Sequence, residues 1–312
     1  MRDKNNIVSI VLVLCGLAVA PFLVANDYYL NILTQVLFFS IYAFGINIMV
    51  GMGGLITLGS ASIFGFSAYA VAILSNLGYG AFFSITGSLV LTLLFDMVFT
   101  AISLRSIGVG FMMITLALGQ IVWGLAYRWV SLTNGDNGIN LSERPSIFDF
   151  SLDSATHFYY LSLLLFALTV INIYLFKHSS LGKSLVGTKV QARRMYAMGY
   201  DVWKIRFFSC LYAGLFTSVA GILFFYFNQF ISPHALSISA STEALLMIIS
   251  GGTSAIFGPL VGAALIITIK LIVSAFMDRW NLLLGLTFIF IVILMPNGIL
   301  PFMQQKFSRN RH

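Results

Sequence analysis

The sequence predicts an all-α polytopic membrane protein of roughly ten transmembrane helices, some of them broken or re-entrant, with both termini cytoplasmic. Three observations carry this. The 312 residues are 59% hydrophobic and only 9% charged, against roughly 25% charged in an ordinary soluble domain. The apolar residues come in runs close to the ~20 that a spanning helix needs. Seven of the seventeen Lys and Arg residues fall in one segment, 177–206. Positive charge in a short connection between spans marks the cytoplasmic side, so every other connection can be oriented from this one. The net charge of +7 then reports topology. A nucleic-acid partner is excluded, because its basic patch would need a soluble domain to carry it.

Residues 1–6 carry Arg2 and Lys4, and 7–25 is a continuous apolar run. It is longer than the roughly 7–15 residues of a signal-peptide core, which favours a retained first helix. After a turn at 26–29, residues 30–50 form the second span, softened by Asn31, Thr34, Gln35 and Asn47. Residues 51–70 hold five glycines. A break at 51–54 is expected, then a third span over 61–75. Broken backbone at membrane depth is tolerated only where it lines a cavity or is buried in protein; close helix packing through small residues is the plain alternative.

Residues 81–102 are the fourth span and contain Asp96, expected to be neutralised or water-exposed rather than a transport residue. Arg105 anchors an inside turn, and 111–129 is the fifth span, with Trp123, Tyr127 and Trp129 as an interfacial aromatic belt. The outer loop 131–156 carries Asp136, Glu143, Asp149 and Asp153 against Arg144. Spans at 157–176 and 207–227 flank the basic segment. An outside connection at 228–239 leads to a short helix at 240–250, ended by Gly251 and Gly252. A helix at 258–275 opens with Gly258 and Gly262, a spacing that lets helices approach closely. An outside turn at Asp278 and Arg279, a last span at 281–294, its stop at 296–298 and the inside charges Lys306, Arg309 and Arg311 close the chain. The stretches 49–70 and 247–264 echo each other as helix end, double glycine, small residues, Phe-Gly, helix. Internal repeats with discontinuous helices are common in transporters.

No catalytic constellation is present. His157, His178, His234 and His312 are scattered, with no metal-ligand spacing. Cys15 and Cys210 form no framework. Residues 181–184, LGKS, resemble the end of a phosphate-binding loop, but the required glycine is replaced by Lys177. The chain therefore is not expected to be an enzyme or to carry a cofactor; any ATP and Mg would sit on a partner ATPase. Residues 184–198 can form an amphipathic helix with Leu185, Ala192, Met195 and Met198 on one side and Lys189, Arg193 and Arg194 elsewhere, stopped by Gly199. Such a helix either lies on lipid headgroups or docks into a cytosolic motor.

Four blocks then carry a resemblance across residues 30–298. They are 53–61, GGLITLGSA; 115–117, TLA, with Gln120 and 132–139, LTNGDNGI; 197–201, AMGYD; and Glu243 through Gly251 and Gly252 to 257–259, FGP. In this order the chain resembles the LivM-type permease subunits of branched-chain amino acid ABC importers. The resemblance implies a single permease domain over 1–312 in a bacterial or archaeal plasma (inner) membrane. It implies a second, LivH-type permease, two cytosolic ATP-binding subunits and an extracytoplasmic solute-binding protein as partners. The coupling loop would be 178–205, with Ser184, Lys189, Arg193, Arg194, Met198, Gly199, Tyr200 and Asp201 facing the ATPase. Asn134, Asp136 and Asn137 become candidate contacts for the binding protein or for the outer gate. Gly53, Gly54, Thr57, Ser60, Thr115, Gln120, Glu243, Gly251 and Gly252 become candidate lining of the substrate path. The chain departs from the family where Val190, Gln191 and Ala192 replace early acidic residues, and where Lys270 replaces a common carboxylate. Permeases of the same fold for urea, short amides or sugars, and an ion-coupled secondary transporter using Asp96 or Glu243, are the alternatives.

Overall fold

In a computed structural model, the described residues are 2–23, 26–141, 154–274 and the positions 282, 285, 286, 289, 293 and 298–302. Glu143, Arg144, Asp149, Asp153, Asp278, Arg279, Lys306, Arg309 and Arg311 lie outside them, as does most of the expected last span.

The described chain is almost wholly helical. Helix α1 is Arg2–Leu23 and α2 is Asp27–Asn47. The latter starts where the Asn26 side chain accepts the Tyr28 N–H at 3.0 Å, and it ends in a π-turn over Ile48–Met52. After an extended stretch, α3 runs over Ser60–Asn76, α4 over Ala81–Ser103 and α5 over Val109–Arg128. A four-residue helix α6, Val130–Thr133, leads to strand β1, Ile139–Asn140. Helix α7 is Ala155–His178, α8 is Ser180–Ala197 and α9 is Val202–Asn228. Strand β2, Phe230–Ile231, precedes α10, Ile238–Gly251, and α11, Gly258–Ser274.

Among the described residues, five segments are long and apolar enough to cross a membrane: 27–52, α4, α5, α7 and α9. Helix α10 has 14 residues, about 21 Å at 1.5 Å per residue, short of the ~30 Å hydrocarbon core. Short helices around breaks are therefore a real property of the chain, as the glycine-rich stretches lead one to expect. Helices α2 and α9 form the centre; α2 packs on α7, α9, α10 and α11, and α3 packs on α4 and α9. Phe38, Ile41, Phe44, Phe166 and Phe225 are fully buried there. Helices α4 and α5 are peripheral. Phe82, Phe83, Val98, Val109 and Met113 project outward from them, as suits a lipid-facing surface.

The basic segment is helix on both sides of a four-residue link, with α8 over the stretch where an amphipathic helix is expected. Ser179 caps α8 by accepting the Gly182 N–H at 3.1 Å, so the helix begins four residues earlier than its apolar pattern suggests. Asp201 caps α9 at its start, five residues before the expected span. Each cap satisfies a backbone N–H that the first turn would otherwise leave without an intrahelical partner, which sets these boundaries. Gln191 has extended backbone (φ −157°, ψ 89°), which interrupts α8. Gly199 ends it as expected: its φ is 84°, and the Tyr200 N–H reaches back to the Met195 carbonyl at 3.1 Å. Leu185 and Met195 are buried as expected, but Met198 is exposed, because it sits at the cap beyond the helical face.

Two connections expected on the outer side meet. Ile139 pairs with Ile231 and Asn140 with Phe230, antiparallel. No alternating pattern marks two-residue strands, so sequence periodicity does not reveal this pairing.

Candidate functional site

At one end the first glycine break rests on the basic helix. The π-turn forms because the Gly53 N–H bonds back to the Ile48 carbonyl at 3.0 Å and the Leu55 N–H to the Met49 carbonyl at 2.9 Å. Gly54 then takes φ 66°, a left-handed conformation that glycine adopts without steric cost. Lys189 Nζ donates to the Gly51 carbonyl at 2.7 Å, and its methylenes lie against Gly54, where an added Cβ would be 2.9 Å from Lys189 Cγ. Arg206 donates through Nη2 to the Thr188 carbonyl at 3.2 Å, so α8 is bracketed by the break and by α9.

Deeper in, Thr57, Ser60 and Thr115 line one crevice of about 10 Å³ with Phe99, Thr100 and Gly214, near the lower limit for a single water. Thr115 Oγ1 accepts the Leu58 N–H at 3.3 Å. Ser60 accepts from the Tyr42 hydroxyl at 3.1 Å, and Ser241 Oγ of α10 accepts the Ala61 N–H at 3.0 Å. The start of α3 is thus held by α2, α5 and α10 together. Gln120 does not join this group. Five residues beyond Thr115, it is turned well away on α5 and is exposed.

The second break lies beside the first. A Cβ on Gly51 would sit 3.0 Å from the Thr253 carbonyl oxygen. Helix α10 ends at Gly251, Gly252 takes φ 101°, and α11 begins at Gly258. Here backbone meets backbone: a Cβ on Gly262 would strike the Met247 carbonyl, and one on Gly298 would strike Gly252.

Near the other end of α10, Glu243 is 9% exposed and both its oxygens accept from Lys270 Nζ of α11, at 3.0 and 3.3 Å. Asp96 is also buried, at 1% exposure, so of the two expectations, a neutralised or a water-exposed residue, only the water-exposed one is not met. It accepts from Thr100 Oγ1 at 3.0 Å and presses on Gly214 of α9. Asp96 belongs to the buried face of α4, with Ser84, Ser88, Thr92, Thr100 and Ser103.

The connection after α5 is held by Thr133, whose hydroxyl donates to the Ala126 and Trp129 carbonyls at 2.7 and 2.8 Å. It presents Asn134, Asp136 and Asn137 to the exterior. On the basic helix Ser184 is half-buried, while Lys189, Arg193, Arg194, Gly199, Tyr200 and Asp201 are exposed. Val190, Tyr196, Met198, Tyr200 and Trp203 add a large exposed apolar area around them. The Lys204 backbone N–H and then its side chain, at 3.2 and 3.1 Å, hold the Asp201 carboxyl below the usual carboxylate range.

Comparison with known proteins identifies what this arrangement belongs to. Residues 28–293 match the family model for the permease component of the branched-chain amino acid transport system. The chain belongs to this family. The permease is 26% identical, over 91% of its length and 73% of the relative's, to the high-affinity branched-chain amino acid transport system permease protein LivM of Escherichia coli K12. To LivM of Salmonella typhimurium it is 24% identical, over 90% of its length and 72% of the relative's. A solved structure, PsaBC from Streptococcus pneumoniae in complex with Fab, aligns with 86% of the permease and 98% of that chain at 18% identity. Its TM-score is 0.37, which carries no argument.

The permease is thus a transport subunit of an ABC importer and a multi-pass membrane protein, not an enzyme; it works with other components of such a transporter, and the ATPase is a separate partner. Sequence reasoning did not find Lys270 as the partner of Glu243, nor Tyr42 and Ser241 as ties on the start of α3. The signal for the first was available: each is the only charged residue of its helix. The others carry no local pattern.

Proposed function

We propose that this permease is the LivM-type half of an importer for branched-chain or related hydrophobic amino acids. It pairs with a LivH-type permease, two cytosolic ATPases that bind ATP and Mg, and an extracytoplasmic binding protein, in a bacterial or archaeal plasma membrane. In this reading the chain crosses about ten times with both termini inside, residues 178–205 are the coupling segment, and 131–156 receive the binding protein. The substrate class follows the two LivM relatives. The coupling role is supported above all by one observation: Lys189, on the basic helix, bonds directly to the Gly51 carbonyl of the first break. A push on α8 by an ATPase has a short path into a backbone joint of the transport core. The exposed ring of Tyr196, Met198, Tyr200 and Trp203 supports a protein partner there, since an interface core is rich in aromatic residues and Met.

Tagged chain recovered in mild detergent from its host tests this. A second permease and a subunit with a complete phosphate-binding loop are expected to come with it, and vesicles holding the assembly are expected to take up leucine only with ATP. Recovery of the chain alone, with flux that needs no ATP, would overturn the proposal in favour of a secondary transporter.

A further inference from the structure

Between α3, α4 and α5 lies a hollow of about 440 Å³, within the roughly 300–1,000 Å³ of small-molecule sites. It exists because Ala70 of α3 and Ala126 of α5 present only methyl groups to it, beside the stacked rings of Phe66 and Phe95. Its lining on α3 runs from Phe66 to Leu74, about 12 Å at 1.5 Å per residue. That is most of one half of the ~30 Å hydrocarbon core. The walls are almost wholly carbon. The Thr133 hydroxyl is committed to the Ala126 and Trp129 carbonyls. Tyr69 contributes its ring, its hydroxyl being shut away from open space. Water in such a hollow would find no partners, and protein interiors leave few voids larger than a water molecule. The space is shaped for an apolar occupant.

Its open side shows which one. Leu91 of α4, Leu125 of α5, Trp129 just beyond it and Leu132 of α6 rim the hollow, each about half exposed. Both α4 and α5 are long and apolar enough to cross the membrane, so hydrocarbon meets this rim. Next to Trp129 stands Arg128, exposed and without an ion pair among the described residues. Tyr127 stacks on Trp123 beside it. A guanidinium set in an aromatic belt suits a phosphate headgroup at a membrane interface.

We propose that this hollow binds a phospholipid: one acyl chain lies between α3, α4 and α5, and the anionic headgroup rests on Arg128. The acyl chain supplies the packing that Ala70 and Ala126 leave out. It steadies the last turns of α5, whose first turns are tied to the start of α3 through Thr115 and the Leu58 N–H. The site is separate from both glycine breaks and does not depend on which solute is carried.

The test uses the complete permease with its co-purifying components, in nanodiscs of phosphatidylglycerol that carries a photoreactive diazirine midway along one acyl chain. Crosslinks are expected on Ala70 and Leu236, both buried beyond the reach of bulk lipid. Crosslinks confined to outward residues such as Phe82, Phe83 and Met113 mean bulk lipid only and overturn the proposal. The same confinement results if a side chain of a companion subunit fills the hollow, and it overturns the proposal equally. Ala126→Phe fills the space from within and should bring the inner crosslinks to background while those on Phe82 and Phe83 persist. Leu125→Trp closes the rim from an exposed position, and it makes the same test if the first variant is recovered poorly. Unchanged inner crosslinks in either assembled variant overturn the site. Arg128→Gln should lower the ratio of phosphatidylglycerol to phosphatidylcholine crosslinks about fivefold, the effect of one cationic side chain near a lipid surface. An unchanged ratio overturns the anionic headgroup.

Discussion

The two glycine breaks look alike in sequence and are built differently. At 51–54 the backbone leaves its helix through a π-turn, and a lysine amino group from another element grips the turn by one carbonyl. At 251–258 no such grip is present among the described residues. Glycines from three places, Gly251, Gly262 and Gly298, bring backbone against backbone. The first is a joint tied to α8 by a side-chain hydrogen bond. The second is a weld whose conformation depends on the absence of Cβ atoms. Similar composition therefore serves opposite mechanical ends, and the side chain that arrives from elsewhere makes the difference.

The largest effect should come from breaking the weld. Gly262→Leu puts a side chain into the Met247 carbonyl, and overpacking of this kind costs about 1–3 kcal/mol or more. The expected outcome is little monodisperse protein by size-exclusion chromatography in detergent. Shortening residues 184–199 should instead leave the protein in the membrane and abolish uptake, since it removes the element that works the joint. Membrane immunoblots beside uptake assays check this, and normal uptake would sink the coupling role of α8. Lys189→Met keeps the helix but releases Gly51. An exposed charged hydrogen bond contributes about 1 kcal/mol, so uptake per ATP hydrolysed should fall about fivefold, with the protein level unchanged. Gly54→Ala forces a Cβ into φ 66° and should lower the melting temperature modestly, at about 1–2 kcal/mol.

The smallest effect concerns pH at the link between α8 and α9. The Asp201 carboxyl is held below its ordinary range by the Lys204 N–H, so its capping of α9 is fully present above the unfolded pKa of about 3.9. It is lost as pH falls through the lower folded value. Amide exchange at the first turn of α9 should accelerate only in that acid window, and Asp201→Ala should accelerate it at neutral pH.

The legible parts of this fold are those written in local composition. Glycine density marks both breaks, Gly199 marks the end of α8, and apolar runs mark the long helices to within a few residues. The buried face of α4 is also local: Ser84, Ser88, Thr92, Asp96, Thr100 and Ser103 recur every three or four positions, a helical period that explains Asp96 better than its charge does. Illegible parts depend on partners distant in sequence. Lys270 reaches Glu243, Lys189 reaches Gly51, and Ser241 reaches Ala61 only because tertiary packing brings their helices together. The interruption at Gln191 has no glycine or proline to announce it. Of the candidate path residues, Thr57, Ser60 and Thr115 share one crevice, Glu243 lies in another that Tyr42 also lines, and Gln120 lies apart.

The small β1–β2 pair has a consequence for the order in which the molecule is made. Ile139 leaves the ribosome well before Ile231, and α7, α8 and α9 are synthesised between them. Until α9 is threaded into the bilayer, the first strand has nothing to pair with, and α2 and α3 lack the neighbour they share. The clasp therefore closes late in biogenesis, and its closing reports that the central helix has arrived.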